Sequence, residues 1–511
     1  MNALTAPAFE PLLAASDWPI TYAAVFGAAF VIALIATPLM RRIARANDIV
    51  DRPDQTRKLH ARPIAYLGGL AIFLGWFAGV GVSYLLAPNQ IGFEDQVLSV
   101  RSFPLMFVIG AAVITFTGLV DDVIPDVQAR QKIGGQLFAA AALTSTRVGI
   151  DLTETLYGLF NIYPSATVVY FSATFLVAFI VLGGCNAINL IDGLDGLSSG
   201  VVAIAMVSFL AIALVAAGQP EGGALMADHP NRVVMALATL GAIVGFLPYN
   251  WNPATIFMGD AGSLLLGFLA VSAILLMGDV GNYSLKLVTA SMVAFAVPIT
   301  DTSLAIVRRK LRGQPIFAPD SQHLHHLLRR SGLSVKQSVI AMYGGGVVFG
   351  LVGVSMIALR LRWRYSLLIV AVIYAAIMLV AFRYGAHCLR QDAKTAAGEP
   401  SPPQRIWPKT IQPRTPPRRP LPTPSPPPGR PRRASPSPGP AVAAWRPPTT
   451  ISDSDFPARG PAAPVLLVQP ACPPQPVFPF DVLRHGPSAG STEHAFSPPG
   501  LLHISKRPTP P

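Results

Sequence analysis

Through its first 395 residues the chain alternates long apolar runs with short polar stretches, and then its character changes. Apolar runs recur at about 20–40, 66–87, 104–120, 134–148, 166–185, 198–217, 233–249, 262–278, 286–306, 338–359 and 365–382. A helix rising ~1.5 Å per residue needs roughly 20 residues to cross ~30 Å of hydrocarbon. The pattern therefore predicts an all-α polytopic membrane protein with about eleven transmembrane helices. The run at 134–148 is the most dilute, because Gln136, Thr144, Ser145 and Thr146 interrupt it. The first run has neither a basic leader nor a small-residue cleavage site, so it is expected to be a retained helix and not a signal peptide.

Beyond this region, 33 of the 50 prolines fall between Pro400 and Pro511. Each proline removes a backbone donor and restricts its neighbour, so helical ladders cannot form. Residues 1–395 are expected to form the membrane domain. Residues 396–511 are expected to form a disordered, proline-rich, basic tail with polyproline II character. That tail is either a docking or lipid-contacting segment or a dispensable extension.

The loops between runs differ in charge. The first carries Arg41, Arg42, Arg45, Arg52, Arg57, Lys58 and Arg62, and the ninth carries Arg308, Arg309, Lys310 and Arg312 among others. Most even-numbered loops hold one basic residue or none, the short loop with Arg360, Arg362 and Arg364 excepted. By the positive-inside rule the odd-numbered loops are cytoplasmic. RKLH, Asp121–Asp122, NAINLIDGLDG, FMGDAGS and PDSQHLHH all fall in odd-numbered loops. These are the polar clusters least like structural filler, which points to one site on one membrane face.

Composition sharpens this picture. The chain is 51% hydrophobic and 13% charged with a mean hydropathy of +0.48, which excludes an ordinary soluble enzyme. Its net charge of +13 invites a nucleic-acid reading. From Pro400 onward, however, 13 Lys and Arg stand against 4 Asp and Glu, so most of the excess belongs to the tail. No nucleic-acid partner is expected. Cys185, Cys388 and Cys472 are too scattered for a disulfide framework or a zinc ribbon.

The polar clusters have chemistry of their own. Asp121 and Asp122 lie side by side at the end of an apolar run, where like charges repel near low dielectric; a divalent cation or a proton would relieve them, unless the helix end is simply solvated. Asn186, Asn189, Asp192 and Asp195 recur every third residue. On a helix they would share one slowly drifting face of amides and carboxylates, suited to magnesium, whereas a turn-rich loop is the plainer alternative. Asp260 stands between glycines ahead of a helix, as a metal ligand, an N-cap or part of an anion site. Asn250, Asn252 and Pro253 just upstream suggest an ordered loop. His323, His325 and His326 with Asp320 resemble a metal set, but contact with phosphate or sugar, shared with Arg308, Arg309 and Arg312, is the better reading. Asp301 lies inside an apolar run and is a site candidate on that ground. Hard-cation carboxylates, basic anion-binding groups and a membrane scaffold together equip a protein for phosphoryl transfer between a soluble donor and a lipid acceptor. A transporter, by contrast, would carry its acids near mid-membrane in repeated broken helices.

Five segments in order, VDRPDQTRKLHARPIAYLGG, GLVDDV followed by ARQKIGGQ, NAINLIDGLDGL, YNWNPATIFMGDAGS and PDSQHLHHLL, resemble the polyprenyl-phosphate N-acetylhexosamine-1-phosphate transferases from about Asp48 to Leu333. The His-Leu-His-His run is similar to the branch that moves GlcNAc-1-phosphate and differs from the three consecutive histidines of the phospho-MurNAc-pentapeptide branch. The resemblance implies transfer from UDP-GlcNAc, or a related UDP-sugar, to undecaprenyl phosphate with release of UMP. It implies magnesium, with manganese as a substitute, and a site on the cytoplasmic face of a bacterial inner membrane. Asp121, Asp122, Asp192 and Asp195 would be catalytic, and Asp260 with Asp192 and Asp195 would hold the metal. Lys58, His60, Asn186, Asn189, Asn250, Arg308, Arg309, His323, His325 and His326 would contact substrate. Membrane lipid surrounds such a protein, and a homodimer is one option for its assembly.

Overall fold

The computed structural model describes residues 18–52, 63–86, 104–124, 127–219, 231–278, 284–311, 313–315 and 323–396. The tail, the segment 53–62 with Lys58 and His60, and Asp126 and Asp320 lie outside these residues.

All eleven apolar runs are helical. The helices are α1 (Trp18–Ala46), α2 (Gly68–Leu86), α3 (Leu105–Val123), α4 (Ala129–Ser145), α5 (Ile150–Gly158), α6 (Ala166–Ile191), α7 (Leu197–Ala217), α8 (Asn231–Asn250), α9 (Gly259–Met277), α10 (Ser284–Ala294), α11 (Ala296–Leu311), α12 (Leu324–Arg330), α13 (Val335–Ala358) and α14 (Trp363–Ala396). Nine of the described helices are long and apolar enough to cross a membrane, so the chain is a multi-pass membrane protein.

The expected eleven spans differ from this in two places. The dilute fourth run forms α4, which has only 17 residues. The run at 286–306 is not one helix but two, α10 and α11, bent by 73°. Pro298 in the first turn of α11 explains the break: it has no N–H to give the carbonyl of Ala294, where α10 ends. Two short helices, α5 and α12, occupy stretches the apolar pattern leaves as loops.

Helix α9 is the axis. Its apolar window is 94% buried, against 6% for the one in α14, and α2, α3, α6, α7, α8 and α10 pack around it. Glycines permit the closest approaches: a Cβ on Gly69 would strike the backbone of Gly262, and one on Gly118 the backbone of Asp260 and Ala261. The outward faces carry Phe116, Phe138, Phe171, Phe175 and Phe179, all exposed as lipid-facing residues are.

A small ribbon supports one end of α9. Strand β1 (Val50–Asp51) pairs antiparallel with β2 (Ile64–Ala65), and Ala65 bridges to Ile256. Phe257 N donates to Ala65 O (2.8 Å), Gly68 N to Phe257 O (3.0 Å) and Gly69 N to Met258 O (2.9 Å). These bonds tie the loop ahead of Gly259 to the start of α2.

Candidate active site

The described parts of the polar clusters meet where α3, α6, α8 and α11 end and α4, α7, α9 and α12 begin, at one end of the bundle. Asp260 is the hub. It stands in the first turn of α9 behind Gly259, whose φ of +66° suits glycine. Asn189 Nδ2 donates to Asp260 Oδ1 (2.8 Å) and to Ser263 Oγ (2.9 Å). Lys132 pairs with Asp260 Oδ2, and its Nζ also lies 3.1 Å from Asp121 Oδ2. One ammonium thus spans two carboxylates from different helices.

Asp122 serves another part of the site. Its Oδ1 accepts from Asp260 N (2.8 Å) and its Oδ2 from Ala261 N (3.0 Å). A side chain of α3 therefore caps α9, satisfying two of the amides that every helix start leaves open. The adjacent acids divide the work: Asp121 faces the lysine and Asp122 fixes the carboxylate of Asp260 in space.

The three-residue repeat holds as a helix only to Ile191. Asn186 and Asn189 lie on the last turns of α6, whereas Asp192 is its C-cap and Asp195 belongs to the following turn. The expected single face therefore divides among different partners. Asn186 Nδ2 donates to Gln136 Oε1 (3.0 Å), linking α6 to α4. Asp192 Oδ1 accepts from Ser198 Oγ (2.6 Å). Asp195 Oδ2 accepts from Asn252 Nδ2 and Ala254 N, both at 2.9 Å, and so holds the loop ahead of α9. Asn250 is buried and fully engaged: its Oδ1 accepts from Gly196 N (3.1 Å) and Ser199 Oγ (3.2 Å), and its Nδ2 donates to Ile256 O (3.1 Å). Asp195 and Asn250 thus fasten the loops beside the acid cluster.

On the far side, Arg308 and Arg309 are buried in the last turn of α11, the helix end that favours cations. His323 Nδ1 lies 2.8 Å from Asp301 Oδ2. His325 packs against Gly193, with its Nε2 near where a Cβ on that glycine would stand. His326 is exposed, its ring centroid 4.2 Å from that of His325.

Acidic side chains dominate here: Asp121 and Asp260 share the ammonium of Lys132, while Asp122 and Asp192 lie close enough to Asp260 to feel its charge. Burial, and then Asp260 and Asp195, push the Asp192 carboxyl up to about 7 against the Ser198 hydrogen bond. Burial and the carboxylates of Asp51, Asp122 and Asp260 push the Tyr66 phenol up as well. Among the described residues no three His, Cys, Asp or Glu side chains close into a metal cage. The carboxylates form an open, oxygen-only set, the donor type that suits a hard cation with free positions for substrate oxygens.

His325 titrates in the opposite sense. Burial first, then His326 and His323, push its imidazole down to about 4, although Asp301 opposes the shift. The folded ring stays neutral while an unfolded one takes a proton near 6.5, so stability is full above about pH 6.5 and falls as pH drops toward about 4, by at most ~3 kcal/mol. Thermal unfolding should show a Tm loss between about pH 7 and about pH 5 that shrinks in His325→Gln. An equal loss in that variant would assign the acid sensitivity elsewhere.

Lys132 and Ser198 carry no local signal along the chain. Lys132 lies within ARQKIGGQ, but one lysine in the first turn of a helix has the signature of a solvated face. Its partners sit 11 and 128 positions away, so packing alone reveals them.

Residues 104–278, which hold Asp121, Asp122, Lys132, Asn189, Asp192 and Asp260, match glycosyl transferase family 4. A probable undecaprenyl-phosphate N-acetylglucosaminyl 1-phosphate transferase of Bacillus subtilis is 33% identical over 351 residues, 68% of this chain and 87% of that protein. A decaprenyl-phosphate N-acetylglucosaminephosphotransferase of Mycobacterium leprae is 33% identical over 341 residues, 63% of this chain and 81% of that protein. A phospho-N-acetylmuramoyl-pentapeptide-transferase of Desulfitobacterium hafniense is 30% identical over 338 residues, 64% of this chain and 94% of that protein. An axial helix ringed by membrane spans, an acid cluster at its start and these likenesses lead to one assignment: the chain belongs to glycosyl transferase family 4, as a multi-pass membrane sugar-phosphate transferase.

Proposed function

We propose that the protein transfers GlcNAc-1-phosphate from UDP-GlcNAc to undecaprenyl phosphate, giving UMP and undecaprenyl-pyrophosphoryl-GlcNAc, on the cytoplasmic face of a bacterial inner membrane. The observation that carries this reading is the convergence of Asp121, Asp260, Asn189 and Lys132 at one end of the bundle. There a soluble donor and a lipid headgroup can meet. The name of the Bacillus subtilis relative supports the acceptor and the sugar.

An oxygen of the lipid phosphate attacks the β-phosphorus of the donor, and the bond from that phosphorus to UMP breaks. A phosphate monoester with a second pKa near ~6 is already largely dianionic at neutral pH, so the attack does not require a protein base. Catalysis then rests on positioning and charge neutralisation. Asp260 and Asp192 are the side chains suited to hold magnesium, or manganese in its place, and the ion would shield the pyrophosphate oxygens of the donor. Lys132 offsets negative charge between Asp121 and Asp260 while the phosphates approach. Asp122 keeps Asp260 still, and Asp195 and Asn250 keep the rim loops closed around it.

Purified protein given undecaprenyl phosphate, magnesium and UDP-GlcNAc should release UMP, and a chelator should stop the release. Release with UDP-MurNAc-pentapeptide alone would reassign the donor, a reading favoured by the likeness to the Desulfitobacterium protein. Decaprenyl phosphate as acceptor would reveal whether lipid length matters. No release with any UDP-sugar would refute the transfer reaction.

A further inference from the structure

We propose that Asp301 is a positioning residue for the nucleotide-sugar: it holds His323 and the start of α12 so that His325 faces the diphosphate of the donor. This rests on the donor reading above. Asp301 sits in α11 just past the bend, its side chain fully buried. Both its oxygens are used. Oδ2 lies 2.8 Å from His323 Nδ1, and Oδ1 accepts from Leu324 N at 2.6 Å.

The second bond makes Asp301 the cap of α12, since the N-cap residue His323 places no side-chain cap of its own. The first sets a tautomer. A carboxylate only accepts, so His323 Nδ1 carries the proton, and in the neutral ring Nε2 is left as the acceptor. The short helix is thereby pinned to α11 in position and in ring orientation.

His325 depends on that pinning. Its ring lies parallel to that of His323, with centroids 5.9 Å apart and planes within 6°. It is 1% exposed, and neither ring nitrogen has a hydrogen-bond partner among the described residues. Burying two polar atoms without partners costs free energy, and such groups call for an explanation, a missing ligand among them. The imidazole rests on Gly193, between Asp192 and Asp195, where a Cβ would collide with it. A ring held at the acid turn with a free N–H has the chemistry to donate to a phosphate oxygen. Asp301 touches neither substrate nor metal and acts only through this stack.

The experiment is calorimetric binding of UDP-GlcNAc to the full-length protein, with turnover measured in parallel for donor and lipid acceptor. Asp301→Ala should weaken donor binding about 10-fold or more and raise the donor KM alike, while the acceptor KM stays within about twofold. Asp301→Asn guards against simple misfolding. Its oxygen can still cap Leu324 N, but its amide offers an N–H to His323 Nδ1 and inverts the tautomer. It should therefore fold like the parent and still lose donor affinity. Combining either change with His323→Ala should do no more than His323→Ala alone, because both act along one path.

Parental donor affinity in the folded Asn variant would overturn the proposal, as would losses that multiply in the double variant or an equal rise in both KM values. A parent protein that neither binds nor turns over UDP-GlcNAc would overturn the donor reading and this inference with it. A parent that does both, beside variants that bind normally, would overturn the role of Asp301 alone.

Discussion

Asp260→Asn should lower turnover about 100- to 1,000-fold while leaving the protein folded. The substitution keeps shape and nearly all local bonding. Its Oδ1 can still accept from Asn189 Nδ2, and the main-chain N–H of residue 260 still reaches Asp122 Oδ1. The change removes one negative charge from the oxygen set and the partner of Lys132. In phosphoryl transfer, where positioning and electrostatic stabilisation supply nearly all the acceleration, one such charge carries ~3–4 kcal/mol of the barrier. The test is UMP release per folded molecule, with Tm recorded on the same sample. Turnover within tenfold of the parent would remove Asp260 from the centre of the site.

The second large effect is expected from a methyl group. Gly118→Ala puts a Cβ 2.5 Å from Ala261 Cα and against the main chain of Asp260. These are backbone atoms at the start of the buried axis, so α3 and α9 must separate. Overpacking of this kind costs ~1–3 kcal/mol. The functional loss should be larger in proportion, because the shift enters where Asp122 grips the amides of Asp260 and Ala261, and a displacement near 1 Å can cost about 100-fold. Gly27→Ala in α1 is the control: no atom lies within 4 Å of its Cβ, so activity should hold and stability stay level or rise. If Gly118→Ala behaved like Gly27→Ala, the close crossing of α3 and α9 would not be what aligns the site.

The two effects share a cause. The acids belong to separate helices, and small residues let those helices meet. Asp121 and Asp122 project from α3, Asn189 from α6, Lys132 from α4 and Asp260 from α9. No helix holds enough of the set to act alone, so the axis and its glycine crossings belong to the site as much as the carboxylates do.

Much of this was legible along the chain. Apolar length selects membrane helices without reference to tertiary contacts, because a bilayer leaves every backbone group to be satisfied within its own segment. All eleven runs are therefore helical, and the described polar clusters fall on alternate loops gathered at one end. The bend at Phe295 was less legible, since Pro298 is tolerated in a first turn and the run around it reads as continuous. The regular spacing of Asn186, Asn189, Asp192 and Asp195 suggested one face. Helix α6 stops at Ile191, and the shared face ends with the helix that carries it.

The membrane-spanning helices and the polar segments between them are legible from the chain alone, because residue type and run length are local properties. The division of labour among those polar residues comes from packing. Asp260 and Asp121 share Lys132, Asp122 caps α9, Asp195 and Asn250 fasten loops, and Asp301 holds the histidines. A carboxylate's role depends on which donors reach its two oxygens, and here most of those donors come from helices far away along the chain. Packing around α9 chose them.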